Sequence, residues 1–208
     1  MTTTAGPTVR IGVTGPIGCG KSTVAGWLTA VPGVVAVDAD AVAREVLAPG
    51  SPAVAAVAAR FGSELVDADG VLDRAALGRI VFTDPGALRD LESIVHPAVR
   101  PRILAAIEAA QTAAASAVVI EAIKLVEGGL ATLCDEVWLV TCDPGAQRDR
   151  LAGRGLEPGE AAQRMAAQAG MVGRLVGQAD RVIDTSGRVD EVRVAVIAAL
   201  DQALSRTA

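Results

Sequence analysis

Short apolar runs alternate with longer amphipathic segments along most of this chain. Each run is rich in β-branched residues and has the length of a buried strand; the runs lie at 9–13, 34–37, 117–120, 136–140 and 180–183. Helical spacing of apolar residues fills most of the intervals, and an amphipathic segment over 189–204 ends the pattern. Strands that alternate with helices predict an α/β fold, with a parallel sheet enclosed between helices.

The interval 41–116 departs from this alternation, because it has helical periodicity and no strong strand signal. The predicted helices cover 41–47, 53–61, 74–82 and 85–112. We expect Pro97 and Pro101 to disturb the last of these helices, since proline lacks a backbone N–H group. A mostly helical stretch of this length predicts an insertion that covers one side of an active site.

Composition narrows the possible partners. The chain has 208 residues, of which 51% are hydrophobic and 21% charged, as expected for one globular α/β domain. Its net charge of -5 argues against a general nucleic-acid or anionic-membrane surface. No apolar run approaches the roughly 18–20 residues that span a bilayer, and residues 1–7 lack the pattern of a signal peptide. We therefore expect a cytoplasmic protein without nucleic-acid or membrane partners.

The candidate chemistry begins in the loop after the first apolar run. That loop reads Gly15-Pro16-Ile17-Gly18-Cys19-Gly20-Lys21-Ser22, and a helix beginning with Thr23 or slightly earlier follows it. Strand, glycine-rich loop and helix are the context of a phosphate-binding P-loop. Backbone N–H groups and the helix N-terminus would bind phosphate oxygens, Lys21 would reach the β- and γ-phosphates, and Ser22 would ligate Mg²⁺. The alternative, a chance glycine-rich turn, does not explain why every fixed position of the motif is filled.

Two carboxylates, Asp38 and Asp40, follow the second predicted strand. Ligands of open parallel sheets bind beyond the carboxyl ends of the strands, so these residues share one edge with the P-loop. If the chain stays extended there, both side chains point the same way and divide two tasks, holding Mg²⁺ and accepting a proton from an acceptor hydroxyl. The alternative is that Asp40 only caps the following helix, with Arg44 paired one turn later.

Several other charged residues have two interpretations each. Arginines 148, 150, 154, 164 and 174 lie in a segment interrupted by Gly155 and Pro158, which is either a mobile lid or a solvated helix face paired with nearby acids. Lys124 and Glu127 follow the third strand, at the ligand-binding edge or as a surface ion pair. His96 is the single histidine, and a lone histidine is more often structural than catalytic.

The three cysteines, at positions 19, 134 and 142, have no metal-ligand spacing and are typical of a reducing compartment. We expect Cys134 and Cys142 to be small buried apolar residues. Cys19 is either a tolerated small residue of the loop or a thiol whose oxidation would block nucleotide binding.

The chain as a whole resembles the dephospho-CoA kinase family, and the resemblance covers nearly its full length. It rests on several segments besides the P-loop: Arg10-Ile11-Gly12-Val13-Thr14, Asp38-Ala39-Asp40-Ala41-Val42-Ala43-Arg44, Phe61-Gly62, Asp69-Gly70, Leu72-Asp73-Arg74, Phe82, His96-Pro97 and Ala179-Asp180-Arg181-Val182-Ile183-Asp184. The resemblance implies ATP-dependent phosphorylation of the ribose 3'-hydroxyl of dephospho-CoA, with Mg²⁺ as cofactor. The expected enzyme is a monomer or a weak homo-oligomer.

The resemblance also implies a P-loop kinase fold with a five-stranded parallel core. One domain would have core segments at 8–40, 117–147 and 178–208, a helical substrate-binding insertion at 41–116 and a lid at 148–177. Residues 15–23 and Arg154 would bind ATP, and Ser22 and Asp38 would hold the metal. Asp40 would be the catalytic base, with Lys21 and Arg154 stabilising the transferred phosphoryl group. The substrate would contact Asp38, Asp40, Arg44, His96, Lys124 and Glu127.

One segment departs from the family pattern. After the third strand the family usually has Pro-Leu-Leu-x-Glu, whereas this chain has Ile123-Lys124-Leu125-Val126-Glu127. Lys124 would either touch the pyrophosphate of dephospho-CoA or indicate a different acceptor. The alternatives are therefore a P-loop kinase for another alcohol, similar to shikimate kinase, and a nucleotide-binding switch without transfer activity. The chain has no Asn-Lys-x-Asp segment, which a GTP switch normally shows.

Overall fold

Five strands form a single parallel sheet in the computed structural model, which describes residues 7–206. The strands are β1 (Val9–Thr14), β2 (Val34–Asp38), β3 (Ala117–Glu121), β4 (Glu136–Thr141) and β5 (Arg181–Asp184), in the order β2-β3-β1-β4-β5. The central strand β1 pairs in parallel with β3 and β4. The predicted α/β fold is confirmed. Of residues 1–7, on which the absence of a signal peptide was predicted, only Pro7 lies within the described range.

Nine α-helices connect or flank these strands within the described residues. They are α1 (Lys21–Thr29), α2 (Ala39–Val46), α3 (Pro52–Phe61), α4 (Arg74–Val81), α5 (Pro85–Thr112), α6 (Pro144–Gly153), α7 (Pro158–Ala167), α8 (Met171–Leu175) and α9 (Val189–Arg206). Short 3₁₀ turns lie at Ser63–Leu65, Leu130–Leu133 and Val176–Gln178. Among the described residues, none of these helices combines the length and apolar character needed to cross a membrane.

The chain divides into two compact units. The first contains the described residues up to Asp38 and those from Ile107 onward, and the second is Ala39–Ala106. In the first unit, helices cover both faces of the sheet. Successive side chains of a strand point to opposite faces, so neighbouring residues of β4 pack with different helices. Trp138 and Val140 of β4 pack with residues of α1 and α9, whereas Leu139 packs with α8.

The second unit is helical, and its core has residues from α3, α4 and the start of α5. These buried residues are Val54, Val57, Leu65, Leu72, Leu77, Val81 and Ala87. Side chains cap two of the helices: Ser51 accepts from the N–H of Val54, and Asp73 accepts from the N–H groups of the first turn of α4. The β-structure assigned in the described part of this unit is the isolated bridge between Val66 and Leu72.

Helix α5 differs from the prediction, because it continues through both prolines. Pro97 and Pro101 lie inside one helix of 28 residues. Their missing N–H groups cost helical hydrogen bonds, but Val99, Ile103 and Ile107 are spaced four residues apart and are at most 5% exposed. Burial of this apolar stripe stabilises the helix where its local sequence does not.

Candidate active site

The P-loop connects the buried end of β1 to the first turn of α1. Gly15 has φ 144° and Gly18 has φ 77°, backbone conformations that L side chains rarely adopt. Neither position has room for a side chain, since a Cβ at Gly15 would collide with the carbonyl oxygen of Val140 and one at Gly18 would lie 3.0 Å from Leu151. Gly20, at φ 91°, precedes the first residue of α1. The sequence therefore builds the tight loop that a phosphate site requires.

Lys21 is the first residue of α1, and it is only 7% exposed. Its Nζ donates to the carbonyl oxygens of Gly15 at 2.9 Å and Pro16 at 3.3 Å. The ammonium group therefore lies over the loop, next to the N-terminus of the helix. A buried cation and a helix N-terminus together favour an anion at this point.

A carboxylate that the sequence interpretation missed lies beside the P-loop serine. The Ser22 hydroxyl donates to Oε1 of Glu121 at 2.6 Å. Glu121 is the last residue of β3, and in the parallel register it is opposite Asp38, the last residue of β2. Register partners in a parallel pair project to the same face, so the two carboxylates are neighbours at the carboxyl edge. The available sequence signal for this carboxylate was the position of Glu121, directly after the third apolar run.

The structure corrects the expectation for Asp40. The chain does not stay extended after β2, because α2 begins at Ala39 and Asp40 is the second residue of that helix. Asp40 is thus in the first turn, where a carboxylate interacts favourably with the helix dipole, and not at the cap position. Asp40 and Arg44, on α2, and His96, on α5, belong to the second compact unit, whereas Asp38 belongs to the first.

Arg150, on helix α6, and Arg154, the residue that caps the C-terminus of this helix, lie next to the end of the P-loop. Arg150 donates to Oγ1 of Thr185 at 2.8 Å and to its carbonyl oxygen at 2.6 Å. The same Thr185 hydroxyl donates to the carbonyl oxygen of Cys19 at 2.8 Å. This chain of hydrogen bonds joins α6 to the P-loop backbone, while Arg154, at the end of α6, is exposed.

A cavity of about 380 Å³ adjoins the N-terminus of α1 in the first unit. Its walls combine aliphatic and aromatic carbon, two guanidinium groups and backbone; the lining residues are Gly20, Thr23, Trp27, Arg150, Gly153, Arg154, Thr185, Val189 and Val192. The volume lies within the range of about 300–1,000 Å³ that is usual for small-ligand sites. The cavity brings together Arg150 and Arg154, two of the five arginines that the sequence analysis named.

The remaining charged candidates are dispersed over the surface. Arg164 forms an exposed ion pair with Glu160 at 2.5 Å, one helical turn away, as in the solvated-face alternative. Arg174 donates to the carbonyl oxygen of Ala169 at 3.1 Å. Lys124 and Glu127 are exposed in the turn that follows β3.

Two cysteines are paired, which corrects the expectation of separate thiols. Cys19 of the P-loop and Cys142, just after β4, form a disulfide with their Cα atoms 5.1 Å apart. The sequence gave no signal for this pairing, because the two cysteines are 123 residues apart. They come close only because each follows one of two strands that are parallel neighbours in the sheet. Cys134 is a free thiol, and burial raises its pKa to about 12. The thiol of Cys134 is therefore protonated and unreactive at neutral pH.

The parallel sheet, the P-loop at its carboxyl edge and the adjacent arginines define a P-loop kinase. A family model described as dephospho-CoA kinase matches residues 9–191. The chain therefore belongs to the dephospho-CoA kinase family, and it is a kinase that transfers phosphate to an alcohol. This membership rejects the alternative of a nucleotide switch without transfer activity.

Relatives agree with this assignment, and solved structures share the fold. The dephospho-CoA kinase of Symbiobacterium thermophilum is 45% identical over 190 residues, which are 91% of this chain and 79% of the relative. That of Streptomyces avermitilis is 46% identical over 186 residues, 88% of each chain. A crystal structure from Thermus thermophilus has a TM-score of 0.74 at 31% identity and covers 94% of this chain and 98% of its own. A shikimate kinase from Bacteroides thetaiotaomicron, with a TM-score of 0.54 at 13% identity over 95% of this chain and 98% of its own, shares the fold alone.

Proposed function

We propose that this chain transfers the γ-phosphoryl group of ATP to the ribose 3'-hydroxyl of dephospho-CoA, giving CoA and ADP. The observation that carries the proposal is the P-loop of a dephospho-CoA kinase family member, with Lys21 over the loop and Ser22 bonded to Glu121. Backbone N–H groups of the loop would bind the β-phosphate, and Lys21 would reach across the β- and γ-phosphates.

The residues at the carboxyl edge suit a magnesium ion. Mg²⁺ prefers hard oxygen ligands and is usually held by one or two protein groups together with phosphates and water. The Ser22 hydroxyl lies 2.6 Å from the Glu121 carboxylate, and Asp38 ends the adjacent strand. Ser22 would ligate the ion directly, and Asp38 and Glu121 would hold it or its water ligands. When bound, the ion would neutralise charge on the phosphate oxygens.

The cavity beside α1 would hold the nucleoside part of ATP. It begins at Gly20 and Thr23, at the end of the P-loop where the α-phosphate would lie. Trp27, Val189 and Val192 supply apolar surface for a base, and Arg150 adds planar cationic surface that stacks on aromatic rings. ATP would therefore span from this cavity to Lys21.

Transfer itself would depend on positioning and charge stabilisation, since the loose transition state of phosphoryl transfer leaves little covalent work. Lys21 and Arg154 would stabilise charge that develops on the transferred oxygens. Asp40 would accept the proton of the attacking 3'-hydroxyl as the γ-phosphoryl group moves to that oxygen. Arg44, His96, Lys124 and Glu127 would bind dephospho-CoA, whose phosphates favour the cationic side chains of this set.

The acceptor decides between this function and a kinase for another alcohol. We would measure ATP consumption by the pure protein with Mg²⁺ and dephospho-CoA, shikimate, adenosine or no acceptor. We expect turnover with dephospho-CoA alone. The product should be CoA, which is dephospho-CoA phosphorylated at the ribose 3' position. Turnover with another acceptor alone would support the P-loop chemistry and reject dephospho-CoA as the acceptor.

A further inference from the structure

Both main-chain polar groups of one P-loop residue are bound by glutamine side chains. The N–H group of Ile17 donates to Oε1 of Gln168 at 2.7 Å, and Nε2 of Gln147 donates to the Ile17 carbonyl oxygen, also at 2.7 Å. The chemistry of Ile17 fixes the orientation of both carboxamides, because a backbone N–H group only donates and a carbonyl oxygen only accepts. These bonds join residues that are 151 and 130 positions apart.

The two glutamines come from neighbouring helices of the arginine-rich segment. Gln147 lies on α6 and is 8% exposed, and Gln168 follows the last residue of α7 and is half-buried. Leu151, one turn after Gln147, is fully buried and packs against Gly18. Helix α6 therefore contacts the P-loop through a hydrogen bond and through packing.

The position of Ile17 in the loop explains how these contacts would affect phosphate binding. Ile17 immediately precedes Gly18, which has a positive φ of 77°. Backbone N–H groups of a P-loop face the phosphates along this part of the loop. The orientation of the Ile17 peptide groups sets the direction of the N–H groups that follow. A loop that is held in its binding conformation avoids the entropy cost of ordering when the ligand binds.

We infer that Gln147 and Gln168 are positioning residues that hold the P-loop in its phosphate-binding conformation and couple it to helix α6. Arg150 lies three residues after Gln147, on the same face of α6, and Arg154 is the residue that caps the C-terminus of this helix. The same contacts therefore fix both the loop and the helix that carries the arginines. This inference rests on the proposed function only in taking ATP as the nucleotide.

The test removes the hydrogen bonds while it keeps side-chain length. Methionine has the shape of glutamine without its amide, so we would make Gln147→Met, Gln168→Met and the double variant, with Gln163→Met as the control. Gln163 lies on α7 and is exposed. We would measure the Kd of Mg·ADP by calorimetry, KM for ATP, kcat, the melting temperature, and hydrogen exchange of the Ile17 amide by NMR.

We expect each of the two variants to raise the Kd of Mg·ADP and the KM for ATP by about 3- to 10-fold, the effect of one net hydrogen bond. The kcat at saturating ATP should fall by less than KM rises, and the melting temperature should fall by no more than about 2–4 °C, the shift for a bond worth about 1 kcal/mol in a protein of this size. The double variant should lose less affinity than the product of the single losses, because both bonds act on one residue. Gln163→Met should match the parent protein.

Unchanged nucleotide affinity in both variants, or a lower melting temperature without a change in affinity, would overturn the inference. Hydrogen exchange keeps the test decisive if a variant fails to fold. The Ile17 amide of the parent protein should exchange slowly, and fast exchange there would also overturn it. If the parent protein bound no nucleotide, the proposed function would fail, while slow exchange of this amide would still support the clamp.

Discussion

At the scale of single residues, the two lysines of this chain allow a matched comparison. Lys21 is buried over the P-loop, and Lys124 is exposed in the turn after β3. We predict that Lys21→Met lowers kcat by roughly 10²–10³, the usual effect of losing one preorganised donor at a developing charge. Lys124→Met should leave KM for ATP unchanged and raise KM for dephospho-CoA. Steady-state kinetics with each substrate varied in turn checks both statements, and a fully active Lys21→Met protein would contradict the P-loop assignment.

The carboxylate of Asp40 gives a second prediction at this scale. We expect Asp40→Asn to lower kcat by roughly 10²–10⁴, because asparagine keeps the shape of aspartate but cannot accept the hydroxyl proton. Binding of Mg·ADP, measured by calorimetry, should be largely retained, since the phosphates are bound by the P-loop. Turnover equal to that of the parent enzyme would reject Asp40 as the base. Asp69→Asn, at an exposed turn, is the control.

Glu136 is a buried carboxylate whose effect is on stability. Only 6% of this residue is exposed, and its oxygens accept from Arg181 at 2.7 Å, Trp138 at 2.8 Å and Arg206 at 3.1 Å. Burial by itself raises the pKa of Glu136, but the three hydrogen bonds lower it by more, so the pKa lies below its ordinary value. The ionised carboxylate is therefore favoured by folding.

The sign of that pKa shift sets a pH dependence. The stabilisation is complete above the unfolded pKa of about 4.3 and is lost as pH falls through the lower folded pKa. We predict that Glu136→Gln lowers the free energy of unfolding by about 3 kcal/mol at pH 7, the lower end for a broken buried ion pair. The difference from the parent protein should shrink below about pH 4. Denaturant titrations at several pH values check this, and Glu160→Gln, which breaks an exposed pair, should cost less than about 0.5 kcal/mol.

At the scale of elements, the sequence predicted the strands and most helices because their signals are local. All five apolar runs became strands, and the glycine spacing of the P-loop defined both its conformation and its place before α1. The expectations that were wrong depended on tertiary context. The continuity of α5 through Pro97 depends on the burial of Val99 and Ile103, and the sharp change from β2 to α2 put Asp40 in a helix.

The site was predicted where one loop carries it and missed where distant segments meet. Lys21 and Ser22 follow from the P-loop motif alone. Glu121 required the register of β3 against its neighbours, and the contacts of Gln147 and Gln168 with Ile17 span more than 100 residues. A single sequence contains no local signal for a hydrogen bond of that span. The same reason explains why the pairing of Cys19 with Cys142 was not predicted.

At the scale of the whole molecule, that disulfide links the P-loop to the end of β4 across 123 residues. Closing a loop of this length restricts the unfolded chain, and the chain-entropy model gives a stabilisation of about 5 kcal/mol as an upper value. Both partners lie in or against the core formed by α1, α9 and the sheet. In the reduced protein, the thiolate of one cysteine would attack a disulfide of low molecular weight and release one of its two thiols, and the second cysteine would then attack the mixed disulfide and release the other thiol.

We predict that reduction with dithiothreitol lowers the melting temperature by up to about 10–20 °C, since about 1 kcal/mol corresponds to 2–4 °C in a protein of this size. The Cys142→Ser variant should melt at one temperature with or without reductant, whereas Cys134→Ser should keep the parent response. Thiol titration of the denatured, unreduced protein should find the single thiol of Cys134. Three thiols in that sample, with an identical melting temperature after reduction, would reject the bond. A stable oxidised protein that still binds Mg·ADP would further indicate that the disulfide forms without displacing the P-loop, as its Cα separation of 5.1 Å allows.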